Sequence, residues 1–589
     1  MEEDKIVGKI YDRHLFGRLV AYSKPYVVLI ALAILLIIIG MGLQILGPFI
    51  TKIAIDQYIL PGNFRGLLFM GALYLALLFG NFIFKYAQIM LTQYIGQRIM
   101  LDLRQQIFSH LQSLQQQFFD RNPIGRLMTR VTSDVESLNQ VFSQGIVMIF
   151  GDILLIAGIV IMMLTIHLTL ALWTLSVVPL LIVISFLFRK KVRQTYSQIR
   201  LYLAKINAYL QEHISGMQIV QLFNRQEKSY QDFQRINWQH TRAFVHTIFY
   251  YAIFYPTVEL ISAIALALII FRGGFYLQNQ WVTFGVIIAF IQYAQMFFRP
   301  ISDLSEKYNI LQSAFAASER IFKLLDTPPL ITSPENGYRT NRIARGIEYR
   351  GVCFAYGEED VLHDIHLTIP AGKKFGFVGH TGAGKTTITK LLGRIYDIQR
   401  GEILVDGVDI RRWNLRNLRS HMAVVQQDIV LFSGTILENI RLGNTAISEE
   451  QVREAARLVN ADSFIQKLPN KYYTKLRERG SNLSQGQKQL LALARAIVHD
   501  PDILILDEAT ANIDSESESL IQQALQVVMK DRTSLVVAHR LSTIQHMDQI
   551  VVLHHGRIRE QGKHQELLKK RGLYYNLYQL QYKEQEVVI

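Results

Sequence analysis

Apolar residues crowd the first half of the chain in long unbroken runs and the second half in short ones. Six long runs lie near residues 26–55, 66–88, 145–165, 168–188, 248–271 and 282–301. Each can cross about 30 Å of hydrocarbon as a helix rising roughly 1.5 Å per residue. The connections alternate in length. Short loops, at 57–65, around His167 and at 272–281, join the runs pairwise, and long charged stretches at 89–144 and 189–247 join the pairs.

Charge gives this arrangement a direction. The long stretches carry Arg98, Arg104, Arg121, Arg126, Arg130, Arg189, Lys190, Lys191, Arg193 and Arg200, whereas the short loops carry mainly Arg65 and Arg272. Lys and Arg collect on the cytoplasmic side of spanning segments. Both long stretches and both termini are therefore expected in the cytoplasm. Residues 13–24 are basic and amphipathic and end at Pro25, which predicts a helix lying in the membrane interface ahead of the first span.

The long connections have helical rather than disordered patterning. Ile199, Leu203, Ile206, Leu210, Ile214 and Ile219 recur at roughly helical spacing. Helices that outrun the bilayer must turn at their far ends. Residues 118–125, with Pro123 and Gly125 as punctuation, predict one turn, and residues 212–216 a second. Such tips are positioned to touch a cytoplasmic domain. Within the spans, Asp152 and Glu259 are candidates for holding substrate, because a carboxylate in hydrocarbon is costly. An interhelical hydrogen bond that fixes packing explains them equally well. Gln292, Tyr293 and Gln295 on the sixth span have the same two readings: cavity lining or helix contact.

Past Pro300 the apolar run fades into a helical segment and then a polar, Pro-containing loop. The boundaries expected from this are a membrane domain over 1–325, a linker over 326–345 and a second domain over 346–589. From about 346 the pattern is short apolar strands alternating with Gly turns and helices, an α/β signature.

Composition agrees with a mixed chain. Of 589 residues, 50% are hydrophobic and 19% charged, too apolar for a soluble protein and too polar for one wholly in the bilayer. The formal net charge of +14 is accounted for by the positive-inside rule. No RNA-binding aromatic motif or Cys/His finger accompanies it, so no nucleic-acid partner is expected. Cys353 is the only cysteine; it excludes an intrachain disulfide and fits a small buried hydrophobe. The chain opens Met-Glu-Glu-Asp, without the basic segment of a signal peptide, and its first apolar run is expected to remain in the mature protein.

The chemistry lies in the second half. Residues 379–386 read Gly-His-Thr-Gly-Ala-Gly-Lys-Thr, after the apolar strand Gly376-Phe377-Val378 and before a helical stretch over 386–394. Strand, Gly-rich loop and helix, in that order, make a phosphate-binding loop. Backbone N–H groups of 382–386 would cradle phosphates at a helix N-terminus. Lys385 would reach the β- and γ-phosphates, and the Thr386 hydroxyl would ligate Mg²⁺. ATP contacts are expected from Gly379, His380, Thr381, Gly382, Ala383, Gly384, Lys385, Thr386 and Thr387. Residues 503–508, Ile-Leu-Ile-Leu-Asp-Glu, read as a buried strand ending in two carboxylates. Asp507 is placed to hold the metal and Glu508 to polarise the attacking water.

With these motifs in view, the chain resembles the ATP-binding cassette (ABC) transporters. Several separate motifs agree in order. Tyr356 resembles the aromatic on which adenine stacks, and Gln427 in Val-Val-Gln-Gln-Asp the glutamine that senses γ-phosphate and metal. Leu-Ser-Gln-Gly-Gln at 483–487 resembles the family signature, with Ser484, Gln485, Gly486 and Gln487 facing the nucleotide of an opposite subunit. Ala511-Asn512-Ile513-Asp514 resembles the loop at the dimer seam, and His539 the switch histidine.

The resemblance covers the whole chain. It implies six transmembrane helices of the type I exporter fold followed by an α/β P-loop nucleotide-binding domain, with ATP and Mg²⁺ as cofactors. It implies ATP-driven export or leaflet translocation of amphipathic or drug-like compounds across the cytoplasmic membrane. A dedicated lipid or peptide exporter, or a membrane-anchored regulatory ATPase, are the alternatives. Its partners would be membrane lipids, an amphipathic substrate and a second half-transporter. The string around the signature is most similar to subunits of bacterial heterodimeric multidrug exporters. One departure supports a heterodimer: Gln485 stands where the signature usually has Gly. A side chain there is expected to hinder approach to the opposite nucleotide or to demand another backbone angle.

Overall fold

The computed structural model describes residues 13–507, 515–537 and 541–587. It divides into two compact units. One contains the chain up to Gln112 together with Ile124–Thr327; the other contains Ser113–Pro123 and the chain from Pro328 onward.

The first unit is helical. Among its described residues, five helices are long and apolar enough to span a bilayer: Lys24–Ile59, Phe64–Ser113, Ile149–Ile166, Leu168–Ser215 and Gln226–Gln278. A shorter apolar stretch, Phe284–Phe298, begins the helix Phe284–Leu325 and corresponds to the sixth run. The helices at 64–113 and 226–278 have 50 and 53 residues. At 1.5 Å per residue each is about 75–80 Å long, more than twice the hydrocarbon thickness. The fourth run is interrupted: helix Leu168–Leu175 ends at Ser176, and Val178–Ser215 restarts with a proline in its first turn. Proline lacks the N–H that a helix interior needs, but tolerates that position.

The amphipathic segment before the first span forms helix Arg13–Ala21. Arg18 makes a two-pronged bond to Asp326 at 2.6 and 2.8 Å and lies over the Phe322 ring. On the opposite side of this unit, Asp56 caps the last spanning helix. It accepts the Thr283 hydroxyl at 2.5 Å and the Gly285 N–H at 2.8 Å. A Cβ on Gly285 would fall 2.5 Å from the Lys52 carbonyl oxygen, so glycine permits this approach.

A buried charge cluster joins two of the cytoplasmic helical extensions. Asp134, 6% exposed, accepts Arg130 at 2.8 Å and both Nε and Nη2 of Arg320. Burial pushes its carboxyl up, but the hydrogen bonds from Arg320 and Arg130 outweigh that and hold it below the usual carboxylate range. Its contribution to stability is fully present above the unfolded carboxylate value of about 3.9 and is lost as pH falls through the depressed folded value. Asp134→Ala should cost about 3 kcal/mol, the low end for breaking a buried ion pair, because Arg320 remains 27% exposed. A thermal unfolding curve in detergent checks this; an unchanged midpoint would show that the cluster carries no stability.

The second unit is built on sheets. Its described strands are β1 (Gly346–Ala355), β2 (Asp360–Pro370), β3 (Lys374–Val378), β4 (Arg400–Val405), β5 (Val408–Asp409), β6 (Met422–Val425), β7 (Gly434–Thr435), β8 (Lys475–Leu476), β9 (Ile503–Asp507), β10 (Thr533–Val537), β11 (Gln549–His554) and β12 (Arg557–Gly562). The main sheet has the order β12-β11-β3-β10-β9-β6. All its pairings are parallel except β11 with β12. Its central strands do not alternate apolar and polar positions because both faces are covered; β10 is buried at every position. An antiparallel sheet, β2-β1-β4-β5, packs on the phosphate-loop helix, where the buried Tyr349 donates to the Ile388 carbonyl at 3.1 Å.

Ser113–Pro123 belongs to this second unit. The segment expected to turn at 118–125 contains a short helix, Gln116–Arg121, that ends at an extended Asn122. Pro123 imposes that extended conformation on the residue before it. The next helix starts at Ile124. At 212–216, helix Val178–Ser215 ends at Gly216 and a second short helix, Met217–Leu222, follows.

Candidate functional site

The parallel strands deliver the motif residues to one edge, the edge of their carboxyl ends. Val537 pairs with Phe377 and Asp507, and Val425 pairs with Leu506. The phosphate loop leaves β3, Asp507 closes β9, and Gln427 is an exposed loop residue two positions beyond β6. Ligands bind at this edge in open α/β sheets because several strands end there together.

The loop itself has the backbone that phosphate binding needs. Gly379, Gly382 and Gly384 have φ of 151°, 83° and 97°. A Cβ on Gly379 would fall 2.2 Å from the Leu553 carbonyl oxygen. Gly384 leads into helix Lys385–Leu392. His380, Thr381 and Gly382 are exposed, whereas Ala383, Gly384, Lys385 and Thr387 are buried. Lys385, 6% exposed, folds back and donates to the carbonyls of Gly379 at 2.7 Å and His380 at 3.0 Å. Burial lowers its pKa, and the charge of Asp507 opposes that. Its ammonium is thus held over the loop by two neutral acceptors. The Thr386 hydroxyl lies 3.4 Å from the Asp507 carboxylate. Two hard oxygen donors so close are the kind of set Mg²⁺ takes.

Tyr356 directly follows β1 and is half-buried. Its ring meets Phe354 and Tyr396 edge-on, with centroids 4.9 and 5.1 Å away, and its hydroxyl reaches Thr387 at 3.3 Å. An aromatic ring held by its neighbours in this way is the kind of group on which a base can stack. The signature opens helix Gln485–Val498, with Ser484 as its cap. Ser484 and Gln487 form a reciprocal capping box: the Ser484 hydroxyl accepts the Gln487 N–H, and the Gln487 side chain accepts the Ser484 N–H. Ser484 and Gln485 are exposed and Gly486 is buried. Gln485 has ordinary helical geometry. It stands in the first turn of the helix with its side chain exposed.

Glu508, Ala511, Asn512, Ile513, Asp514 and His539 lie outside the described residues. The membrane candidates stand on three different helices. Asp152 is half-buried on Ile146–Ile166, and Glu259 is exposed on Gln226–Gln278. Gln292 is half-buried and Gln295 exposed on the helix from Phe284. Tyr293 is fully buried and donates to the Ile45 carbonyl at 2.9 Å, a helix-to-helix contact.

One residue of the second unit went unread in the sequence, although its partner lies in the turn expected at 118–125. Tyr396 is buried and donates to Asp120 at 2.5 Å. Burial and Asp120 push its phenol up, so it remains a donor at neutral pH. Nothing in the local pattern pairs positions 276 apart.

Comparison with known proteins gives this arrangement a family. The model described as ABC transporter transmembrane region matches residues 30–301, and the one described as ABC transporter matches residues 362–511. An uncharacterized ABC transporter ATP-binding protein, YknV of Bacillus subtilis, is 39% identical over 582 residues, covering 98% of this chain and 96% of that one. An ATP-dependent lipid A-core flippase of Syntrophus aciditrophicus is 36% identical, with 97% and 95% covered. A putative multidrug export ATP-binding/permease protein of Staphylococcus aureus is 36% identical, with 96% and 100% covered. Among solved structures, a bacterial Atm1-family ABC exporter with ATP bound superposes with a TM-score of 0.76 at 27% identity, covering 97% of this chain and 99% of that one.

A helical membrane region followed by a P-loop nucleotide-binding domain is the layout of an ATP-driven transporter half. The chain belongs to the ABC transporter family and has the exporter fold. It is a multi-pass membrane ATPase with its nucleotide-binding domain on the cytoplasmic side, and it pairs with another ABC subunit.

Proposed function

We propose that the chain uses Mg²⁺-ATP to export amphipathic or drug-like compounds, or to move them between leaflets. The carrying observation is a phosphate loop with Lys385 and a Thr386–Asp507 contact, on the same chain as a multi-span apolar unit. Tyr356 would stack the adenine. The loop from Gly379 to Thr387 would hold the phosphates, and Thr386, Asp507 and Gln427 the metal. Glu508 would take the proton from water, with His539 steadying the γ-phosphate. Mg²⁺, when bound, would draw charge from the β- and γ-phosphates. The relatives named as a lipid flippase and a multidrug exporter support an amphipathic cargo. Asp152, Glu259, Gln292 and Gln295 are the polar candidates for a cargo cavity. ATP-dependent accumulation of ethidium or a fluorescent phospholipid in inside-out vesicles tests this reading. ATP hydrolysis with no movement of any such probe would favour the regulatory ATPase.

The partner is proposed to be a different subunit. Gln485 places an exposed side chain at the head of the signature helix, where an opposite subunit's nucleotide would approach. A signature serves the other subunit's ATP, so this chain would complete the weaker site and keep the faster one for itself. A purified homodimer with two equally fast sites would overturn this.

A further inference from the structure

Tyr396 lies four residues beyond the phosphate-loop helix Lys385–Leu392, and three contacts meet on it. Its ring is edge-on to Tyr356 at 5.1 Å and tilted against Phe354 at 5.8 Å. Its hydroxyl donates to Oδ2 of Asp120 at 2.5 Å. The other oxygen of Asp120 accepts the Gln116 side chain at 3.0 Å, inside the short helix Gln116–Arg121. The base platform and this loop helix are therefore separated by one side chain.

That side chain has little freedom. Arg394, two residues earlier, has a left-handed φ of 48°. Its guanidinium grips both oxygens of Asp397 at 2.8 and 3.2 Å and the Thr332 carbonyl at 3.1 Å. Arg419 donates to the carbonyls of Gly393 and Arg394 at 3.1 and 2.8 Å. A displaced Tyr356 ring is thus met by a Tyr396 whose backbone is clamped. The compliant member of the chain is the exposed Asp120 on its short helix.

We propose that Tyr396 is a positioning residue that ties base stacking on Tyr356 to the seating of loop helix Gln116–Arg121, through the Tyr356–Tyr396 ring pair and the Tyr396–Asp120 hydrogen bond. This rests on the reading of Tyr356 as the adenine platform. Aromatic pairs prefer a narrow set of edge-to-face geometries. A base laid on Tyr356 fixes that ring, which fixes the Tyr396 ring and the direction of its hydroxyl. A triphosphate without a base fills the phosphate loop but lays nothing on the Tyr356 ring, whose link to that loop is the 3.3 Å hydroxyl contact with Thr387.

Hydrogen–deuterium exchange on the full-length protein, assembled with its partner subunit and held in lipid nanodiscs, tests the relay without a known cargo. ATP and inorganic tripolyphosphate are the two probes. ATP should protect both 379–386 and 113–123, and tripolyphosphate only 379–386. The ATP-dependent slowing at 113–123 should be about tenfold, the worth of one charge-assisted hydrogen bond. Tyr396→Phe keeps the ring and should lose that slowing while keeping protection at 379–386. Asp120→Ala, an exposed change that spares the core, should do the same, and Asp120→Asn, which still accepts, should retain most of it. Equal protection at 113–123 by both probes, or an unaltered response in Tyr396→Phe and Asp120→Ala, would overturn the relay. The platform reading is checked separately in Tyr356→Ala, which keeps Tyr396. Unchanged ATP affinity there would bring down the platform, and the relay with it, whereas weakened affinity with an unaltered response in Tyr396→Phe brings down the relay alone.

Discussion

Lys385→Ala should reduce ATP hydrolysis of the assembled transporter by at least about 10²-fold, as expected when a preorganised cation at a transferring phosphoryl group is removed. In the structure this ammonium is buried and held over the phosphate loop by the Gly379 and His380 carbonyls. An arriving triphosphate needs only to draw it from two neutral acceptors to anionic oxygens, with no long side chain to order from solvent. Lys385→Arg should not rescue the loss, because a planar fork cannot replace a compact point charge in so narrow a fold of backbone. Phosphate release by the purified pair measures the effect, and unchanged nucleotide-free unfolding separates it from misfolding. If the partner is a distinct subunit, the equivalent lysine change there should leave a measurable fraction of turnover. Hydrolysis in Lys385→Ala within a few-fold of the parent protein would sink the assignment of this loop.

Glu508→Gln should separate binding from chemistry. The residue directly follows Asp507 at the end of β9, where the phosphate loop and the Gln427 loop also arrive. A carboxylate there can accept the proton of an attacking water, and a carboxamide cannot. The variant should bind ATP as tightly as the parent and hydrolyse it at least about 10²-fold more slowly, the usual cost of a lost general base. The pattern differs from Lys385→Ala, in which binding should weaken as well. Near-normal hydrolysis by Glu508→Gln, in a pair whose other site has been inactivated, would show that another group takes the proton.

Much of this was legible because the signals are local. Six apolar runs of spanning length report themselves through solvent chemistry, since lipid tolerates few exposed polar groups. The phosphate loop is legible because its glycines answer to one backbone geometry, and the φ values at Gly379, Gly382 and Gly384 meet it. Ile503–Asp507 reads as a buried strand because a parallel strand covered on both faces cannot alternate. Where local reading ran out, the reason is also physical. The signature motif names Gln485, but only the fold shows it to be the first residue of a helix, exposed next to the Ser484 cap.

What the chain order alone determined is therefore the set of segments and the chemistry each one carries: apolar spans, a cytoplasmic bias of charge, a phosphate loop, and a strand ending in acids. What only the tertiary structure decided is which distant groups meet. Asp134 finds Arg320 across 186 positions, Asp56 caps a helix that begins more than 220 residues later, and Tyr396 reaches back 276 positions to Asp120. Asp134 and Tyr396 are polar groups withdrawn from water that need a partner. Any of many Asp or Arg residues would satisfy that need on paper. Only the packing of the helices and sheets, driven by apolar burial that has no preferred direction, brings one particular partner within reach.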